Sequence, residues 1–262
     1  MNKHYALLCD YGLDDAVATV ALIDARDRGD LVDVIPVGGN SEVSVSFRNA
    51  QTLLSAYNKD LSGVRIIDTR GIAQPWAKLP SIHGEDGMGD LLRPAVSGLP
   101  VISFGDWLEE DNAPLNLVSL GPCTITLKIL EKKGAQKLLI MGGCVNAEPN
   151  FHGYEFNHYL DIPAFEKCLR YDHEAATLDT CRVPRFNFAG RRESEDSLLG
   201  RLINKAVELA EKRHPDNSYI YDYIAVQRLI APKTFTVERV CDKDGNSISQ
   251  LKSLLYCLLY TS

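Results

Sequence analysis

The residues best suited to chemistry come near the start of the chain. Cys9-Asp10-Tyr11-Gly12-Leu13-Asp14-Asp15-Ala16 places three carboxylates, Asp10, Asp14 and Asp15, within six residues, directly after the apolar run Tyr5 to Cys9. Carboxylates packed this closely repel one another, and a hard divalent cation with oxygen ligands, Ca²⁺ or Mg²⁺, relieves the repulsion. Gly12 lets the turn bend sharply. Helix capping is the competing explanation, because acids stabilise helix N-termini. It accounts for one Asp or two and leaves Asp10 unexplained, so the pattern favours a metal site.

Such a site needs elements to hold it. Tyr5 to Cys9 reads as a strand, Asp15 to Asp27 as a helix and Leu31 to Val37 as a second strand, which is a βαβ pattern. The alternation continues with a helix over Val45 to Tyr57 and a strand over Val64 to Ile67. Asn116 to Ser119 and Lys137 to Met141 read as strands around a helix over Thr124 to Lys132. Further on come helices over Ile162 to Leu169, Ser197 to Arg213 and Tyr223 to Ile230, and a short strand over Ala175 to Leu178. The expected fold is α/β, a doubly wound and mostly parallel sheet with helices on both faces. In such folds ligands bind outside the carboxyl ends of the strands, where Asp10 falls. Asn146 to Asp161 mixes Pro, Gly, Asn and aromatics without periodicity and reads as an ordered functional loop.

Composition narrows the function. The 262 residues carry 45% hydrophobic and 24% charged side chains and a net charge of −7, ordinary for a globular chain. That charge gives no electrostatic reason to bind nucleic acid or an anionic membrane. The seven cysteines are odd in number, scattered and free of any CxxC pair, which argues for reduced thiols and a cytoplasmic protein. No apolar stretch approaches the ~18 to 20 residues of a membrane span, and the N-terminus shows no targeting segment.

With these residues in view, Asp10 to Ala16 resembles the DxDPGxDDA signature of nucleoside hydrolases, calcium-dependent enzymes that cleave ribonucleosides into base and ribose. Five further segments match that family in order. Gly38-Gly39-Asn40 with Arg48-Asn49-Ala50 is similar to its GN…RNA segment, and His83-Gly84-Glu85-Asp86-Gly87-Met88-Gly89 to its HGxxGLG loop. Leu120-Gly121-Pro122-Cys123-Thr124 is similar to its TGPLTN turn, and Met141-Gly142-Gly143 with Glu155-Phe156-Asn157 and Asp161 to its MGG…AEFNxxxDPEA region. Tyr221 to Val226 resembles its HDPxAVA motif. The matches span Tyr5 to about Val240.

The resemblance implies roles residue by residue. Asp10 would bind Ca²⁺ and act as base on the attacking water. Asp15, Asp222 and the main-chain carbonyl of Leu120 would complete the protein ligands. Asp14 would hold a ribose hydroxyl, and Asn40, Glu155, Asn157 and, less directly, Asn150 would grip the ribose. The His83 loop would line the base side of the pocket. A homo-oligomer is implied, with a small nucleoside as substrate. The chemistry suits these types: base departure leaves an oxocarbenium-like sugar, which calls for an activated water, a polar cradle and help for the leaving group.

The departures matter too. The family's late His, the acid for the leaving base, is here Tyr221, whose ordinary pKa of ~10 suits neutral pH less well; Tyr221 or His83 would serve instead. Leu8 replaces the first Asp of the signature, Tyr11 its Pro, and Ile125 the Asn of its LTN turn. His152, His158 and His173 lack ligand spacing and read as surface or loop residues. Two rivals stand beside a Ca²⁺-dependent N-ribohydrolase: a nucleoside- or ribose-binding protein without strong turnover, and a metal-dependent phosphohydrolase with Asp10 as nucleophile.

The C-terminal end is the anomaly. After Asp242-Lys243-Asp244-Gly245 the chain runs into an apolar Leu-rich ending. The expectation is a single domain over 1–262 that stops short of its relatives, with 251–262 a non-native, poorly packed tail beside an ordered Asp10, Asp15 and Asp222 cluster.

Overall fold

A computed structural model describes residues 2–78, 80–84, 86–110 and 114–254. Strand β1 (His4–Cys9), buried throughout, leads through the Asp10–Gly12 turn into helix α1 (Leu13–Ala25). There follow β2 (Leu31–Pro36), α2 (Val43–Ala56), β3 (Val64–Asp68), the one-turn α3 (Pro80–His83), β4 (Val101–Ser103) and α4 (Phe104–Glu109). Next come β5 (Leu115–Ser119), α5 (Thr124–Lys133), β6 (Lys137–Met141), α6 (Phe156–Leu160), α7 (Ile162–Cys168), β7 (Glu174–Ala176) and α8 (Leu178–Cys181). The described chain closes with α9 (Leu198–Arg213), α10 (Tyr221–Ile230), β8 (Phe235–Cys241) and β9 (Ser247–Ser253).

The strands form one sheet in the order β4-β3-β2-β1-β5-β6-β7-β9-β8. Every pairing is parallel except that of β8 with β9. Alternation along β1 shows why helices cover both faces: Tyr5, Leu7 and Cys9 pack into one core with α1, α2, α9 and α10, while Ala6 and Leu8 pack into a second with α4, α5 and α7. The expected α/β architecture is the one observed. Successive strands run outward from β1 to β4, then restart at β5 on the other side of β1. The crevice between the ends of β1 and β5 is therefore the topological switch point, where such sheets bind ligands.

One buried charge organises the sheet away from that crevice. The fully buried Asp33 accepts from Arg65 Nε and Nη2 at 2.7 and 2.9 Å and from Trp107 Nε1 at 2.6 Å, and lies 2.6 Å from His4 Nε2. Burial pushes the Asp33 carboxyl up, but His4, Arg65 and Trp107 together hold it below its ordinary value of 3.8.

Several elements differ from the sequence expectation. The strand expected over Ala175 to Leu178 ends at Ala176, because the Thr177 hydroxyl accepts from Thr180 N and caps α8. His158 and His173, expected at the surface or in loops, are buried: His158, on α6, stacks on Phe165 at 4.1 Å, and His173, in the loop before β7, accepts at Nε2 from Ser249 N at 3.1 Å. Leu251 to Ser253, expected in the tail, complete β9, where Leu251 is fully buried and its carbonyl accepts from Thr180 Oγ1 at 2.6 Å. The remainder of that tail, 255–262, lies outside the described residues. Among the described residues no helix is long and apolar enough to cross a membrane.

Candidate active site

The turn after β1 is built from both sides. Ser46 Oγ donates to the Asp10 carbonyl at 2.9 Å, and Asn49 Nδ2 to those of Asp86 and Tyr11 at 2.8 and 3.4 Å, so α2 fixes the turn and ties it to the His83–Gly89 loop. Tyr11 sits in the left-handed region at φ 50° and is fully buried. It packs into the core rather than entering the cleft, with its hydroxyl 3.5 Å from Thr19 Oγ1. Two glycines permit close approach: a Cβ on Gly39 would fall 1.9 Å from Asp10 Oδ2, and one on Gly12 within 2.6 to 2.8 Å of Asn40 and His83.

Four carboxylates converge here. Asp10 is held by Asn40, whose backbone N–H reaches Oδ2 at 2.7 Å and whose Nδ2 reaches Oδ1 at 2.8 Å. Asp15 Oδ2 caps α1 by accepting Gly12 N at 2.9 Å, so capping explains one of its oxygens; Oδ1 is buried and unpartnered, as is Asp14 Oδ1. Oxygens of Asp14, Asp15 and Asp222 lie within 4.8 Å of one another. Burial drives the Asp15 and Asp222 carboxyls well above the ordinary range, and the neighbouring carboxylates push the same way. Burial also raises Asp10, to about 6. This all-oxygen set, with two orphaned buried acceptors, fits a hard divalent cation.

The second half supplies the facing wall. Asn157 Nδ2 donates to the carbonyls of Leu120 and Met141 at 2.9 and 3.2 Å, joining the ends of β5 and β6. Glu155 caps α6, accepting from Gly143, Asn157 and His158 N–H groups at 3.0 to 3.1 Å, yet burial lifts its carboxyl to about 7. Asn150 Oδ1 accepts Phe156 N at 2.9 Å, leaving its amide N–H groups to be donated. His83 Nδ1 accepts Leu13 N at 3.1 Å, which makes the ring neutral with its proton on Nε2, and burial lowers its pKa below 6.5. A cleft of about 150 Å³ is lined by Asp10, Asp14, Asn40, His83, Leu120, Asn150, Glu155, Asn157, Tyr221 and Asp222, together with Ile82, Met141, Phe151 and Phe156. Of the residues expected to have a catalytic, ribose-binding or metal-holding role, Asp15 alone is not in that lining; it lies beneath, fully buried.

Comparison with known proteins decides what this cleft belongs to. Residues 6–250 match the family described as inosine-uridine preferring nucleoside hydrolase. The chain belongs to that family. It is 32% identical over 263 residues to the non-specific ribonucleoside hydrolase RihC of Salmonella paratyphi A, covering 90% of this chain and 82% of the relative. RihC of Shigella flexneri serotype 5b is 35% identical over 172 residues, 59% of this chain and 54% of that one. In fold it is similar to a purine-preferring ribonucleoside hydrolase from Gardnerella vaginalis, with TM-score 0.70, 20% identity and 98% and 90% of the two chains covered. It is also similar to the inosine-uridine preferring nucleoside hydrolase of Bacillus anthracis, with TM-score 0.62, 14% identity and 97% and 90% covered. The chain is thus an N-ribohydrolase, acting on the N-glycosidic bond of ribonucleosides.

Two side chains of this nucleoside hydrolase escaped the sequence reading. Asp179 Oδ2 accepts Val145 N at 2.8 Å, and its Oδ1 accepts Asn146 and Ala147 N at 2.8 and 2.9 Å, so one carboxylate anchors the start of the loop that carries Asn150. Arg182, the C-cap of the same short helix, donates from Nη1 to Glu148 O at 2.6 Å and from Nε to Tyr221 Oη at 3.2 Å. Neither lies in a periodic or motif-bearing stretch, and each acts on backbone or on one distant hydroxyl. Leu8, where the family signature begins with Asp, is fully buried among apolar neighbours in the α4, α5 and α7 core.

Proposed function

We propose that this nucleoside hydrolase depends on Ca²⁺ and uses Asp10 as the base that deprotonates the attacking water. The observation that carries the reading is the pair of orphaned buried oxygens, Asp14 Oδ1 and Asp15 Oδ1, within a carboxylate group completed by Asp222. Asp10, Asp15, Asp222 and the Leu120 carbonyl would hold the ion, with Asp14 at the ribose hydroxyl beside it. When bound, the ion supplies charge that eases deprotonation of water and draws the ribose hydroxyls into place. Each Asp10 oxygen keeps a second acceptor site besides the one Asn40 fills, so it can accept the water's proton without swinging.

Asn40 would meet the ribose from the β2 side, and Asn150, Glu155 and Asn157 from the loop and α6. Their hydrogen bonds to the scaffold hold them ready before substrate arrives, which lowers the cost of ordering the complex. His83 would face the base with Nε2–H, and Tyr221 would stand as donor to the leaving group. The scattered, odd-numbered cysteines support a reducing, cytoplasmic setting, and the motif resemblance supports a homo-oligomer. The test incubates the protein with inosine, uridine and p-nitrophenyl phosphate, with and without EDTA, alongside Asp10→Ala. Free base and ribose released from a nucleoside, abolished by chelation and by the substitution, support the reading. Phosphate release would instead establish a phosphohydrolase, and tight nucleoside binding without turnover a binding protein.

A further inference from the structure

Arg182 joins three parts of the site that sequence leaves unconnected. It closes α8, with its backbone N–H bonded to Leu178 O, and lies three residues from Asp179, which anchors Val145 to Ala147. Its guanidinium spans from Glu148 O to the phenol oxygen of Tyr221, and its Cζ lies 5.9 Å from the Tyr221 ring centroid. Arg182 is part-buried and does not itself line the cleft, whereas Tyr221 does. A phenol oxygen that accepts an N–H keeps its own O–H for donation, and a cation behind it polarises that O–H.

We propose that Arg182 is the positioning residue for the leaving-group donor, holding the Tyr221 phenol so that its O–H donates a hydrogen bond to the departing base. The inference rests on the hydrolase reading above and adds a residue to it. In the step considered, the bond between the anomeric carbon and the base nitrogen breaks, and its electron pair stays on the base. The water oxygen bonds to the anomeric carbon while Asp10 takes the water's proton. The Tyr221 O–H stays intact and donates a hydrogen bond to the electron-rich base. Arg182 holds that donor by one N–H, from Nε, while Nη1 anchors the guanidinium plane on Glu148 O, a geometry that a lysine reproduces only in part.

The alternative is that Arg182 merely secures the loop through Glu148. The two differ in their dependence on the leaving group. Inosine needs help to release its base, whereas p-nitrophenyl β-D-ribofuranoside releases a stable phenolate that needs none. With Ca²⁺ present, the kcat ratio of inosine to p-nitrophenyl riboside is expected to fall about tenfold or more in Arg182→Gln, with part of that recovered in Arg182→Lys. Tyr221→Phe is expected to show a similar fall, and Arg182→Gln in that background to add nothing to it. Equal losses for both substrates in Arg182→Gln, or a double variant whose ratio is the product of the single effects, would overturn the proposal while leaving the hydrolase reading intact. A wild-type protein that cleaves neither substrate would end both. Should Arg182→Gln not fold, Arg182→Lys and Tyr221→Phe carry the same comparison.

Discussion

Asn40 grips Asp10 twice, by its backbone N–H at Oδ2 and its side-chain amide at Oδ1, at 2.7 and 2.8 Å. Asp10 follows β1 directly and Asn40 lies four residues past the end of the adjacent parallel strand β2, so the turn after β2 sets the orientation of the carboxylate. In the mechanism proposed above, a carboxylate held this way would present a fixed lone pair to the water. Loss of the amide in Asn40→Ala removes one charge-assisted bond and frees the carboxylate to rotate. The expected result is a fall in kcat/KM of about 10- to 100-fold, with little change in melting temperature, read by steady-state kinetics and thermal denaturation on the same preparation.

Gly39 tests the same contact from the other side. Its added Cβ would lie 1.9 Å from Asp10 Oδ2, so Gly39→Ala must displace the carboxylate or the strand end. Overpacking costs about 1–3 kcal/mol of stability, but activity is expected to fall by more than that loss explains. Unchanged turnover in a folded Gly39→Ala protein would show that the position of Asp10 is not critical.

His83 gives a pH prediction with a definite sign. Burial lowers its pKa, opposed by Asp14, so the folded protein favours the neutral ring. The stability it contributes is present above the ordinary value of 6.5 and is lost as pH falls through the lower folded value. Protonation also removes the acceptor that holds Leu13 N. Long-range ¹H–¹⁵N correlation on histidine-labelled protein at about pH 7.5 should report the Nε2–H tautomer. A ring protonated at Nδ1 would contradict this.

Asp33 predicts stability rather than activity. Removing its carboxylate leaves Arg65 and His4 without their buried partner, so Asp33→Ala should cost about 3–5 kcal/mol in urea denaturation. Its depressed pKa means that its contribution is present above 3.8 and is lost as pH falls through the lower folded value. A loss below about 1 kcal/mol would place the network among surface pairs.

How far sequence reached is clear from individual residues. Asp10, Asp14 and Asp15 were legible because their spacing is local and follows a strand that alternation identifies. Asp222 entered only through the resemblance of its motif, since nothing local says that α10 begins beside α1. Asp179 and Arg182 were not legible: α8 has four residues, too few for periodicity, and its contacts are to backbone in another loop. The three residues of β4 were missed for the same reason. The turn at Asp242 to Gly245 was visible, but that it joins β8 to a strand pairing with β7 depends on a partner far away in sequence.

The most direct test of the central claim is a titration of Ca²⁺ into chelator-treated protein, with heat of binding and inosine cleavage followed on the same samples. The expected result is one ion per chain, with cleavage rising in step with occupancy and both lost in Asp15→Asn and Asp222→Asn. Cleavage at full rate before any ion binds would contradict the claim that these carboxylates work by holding one.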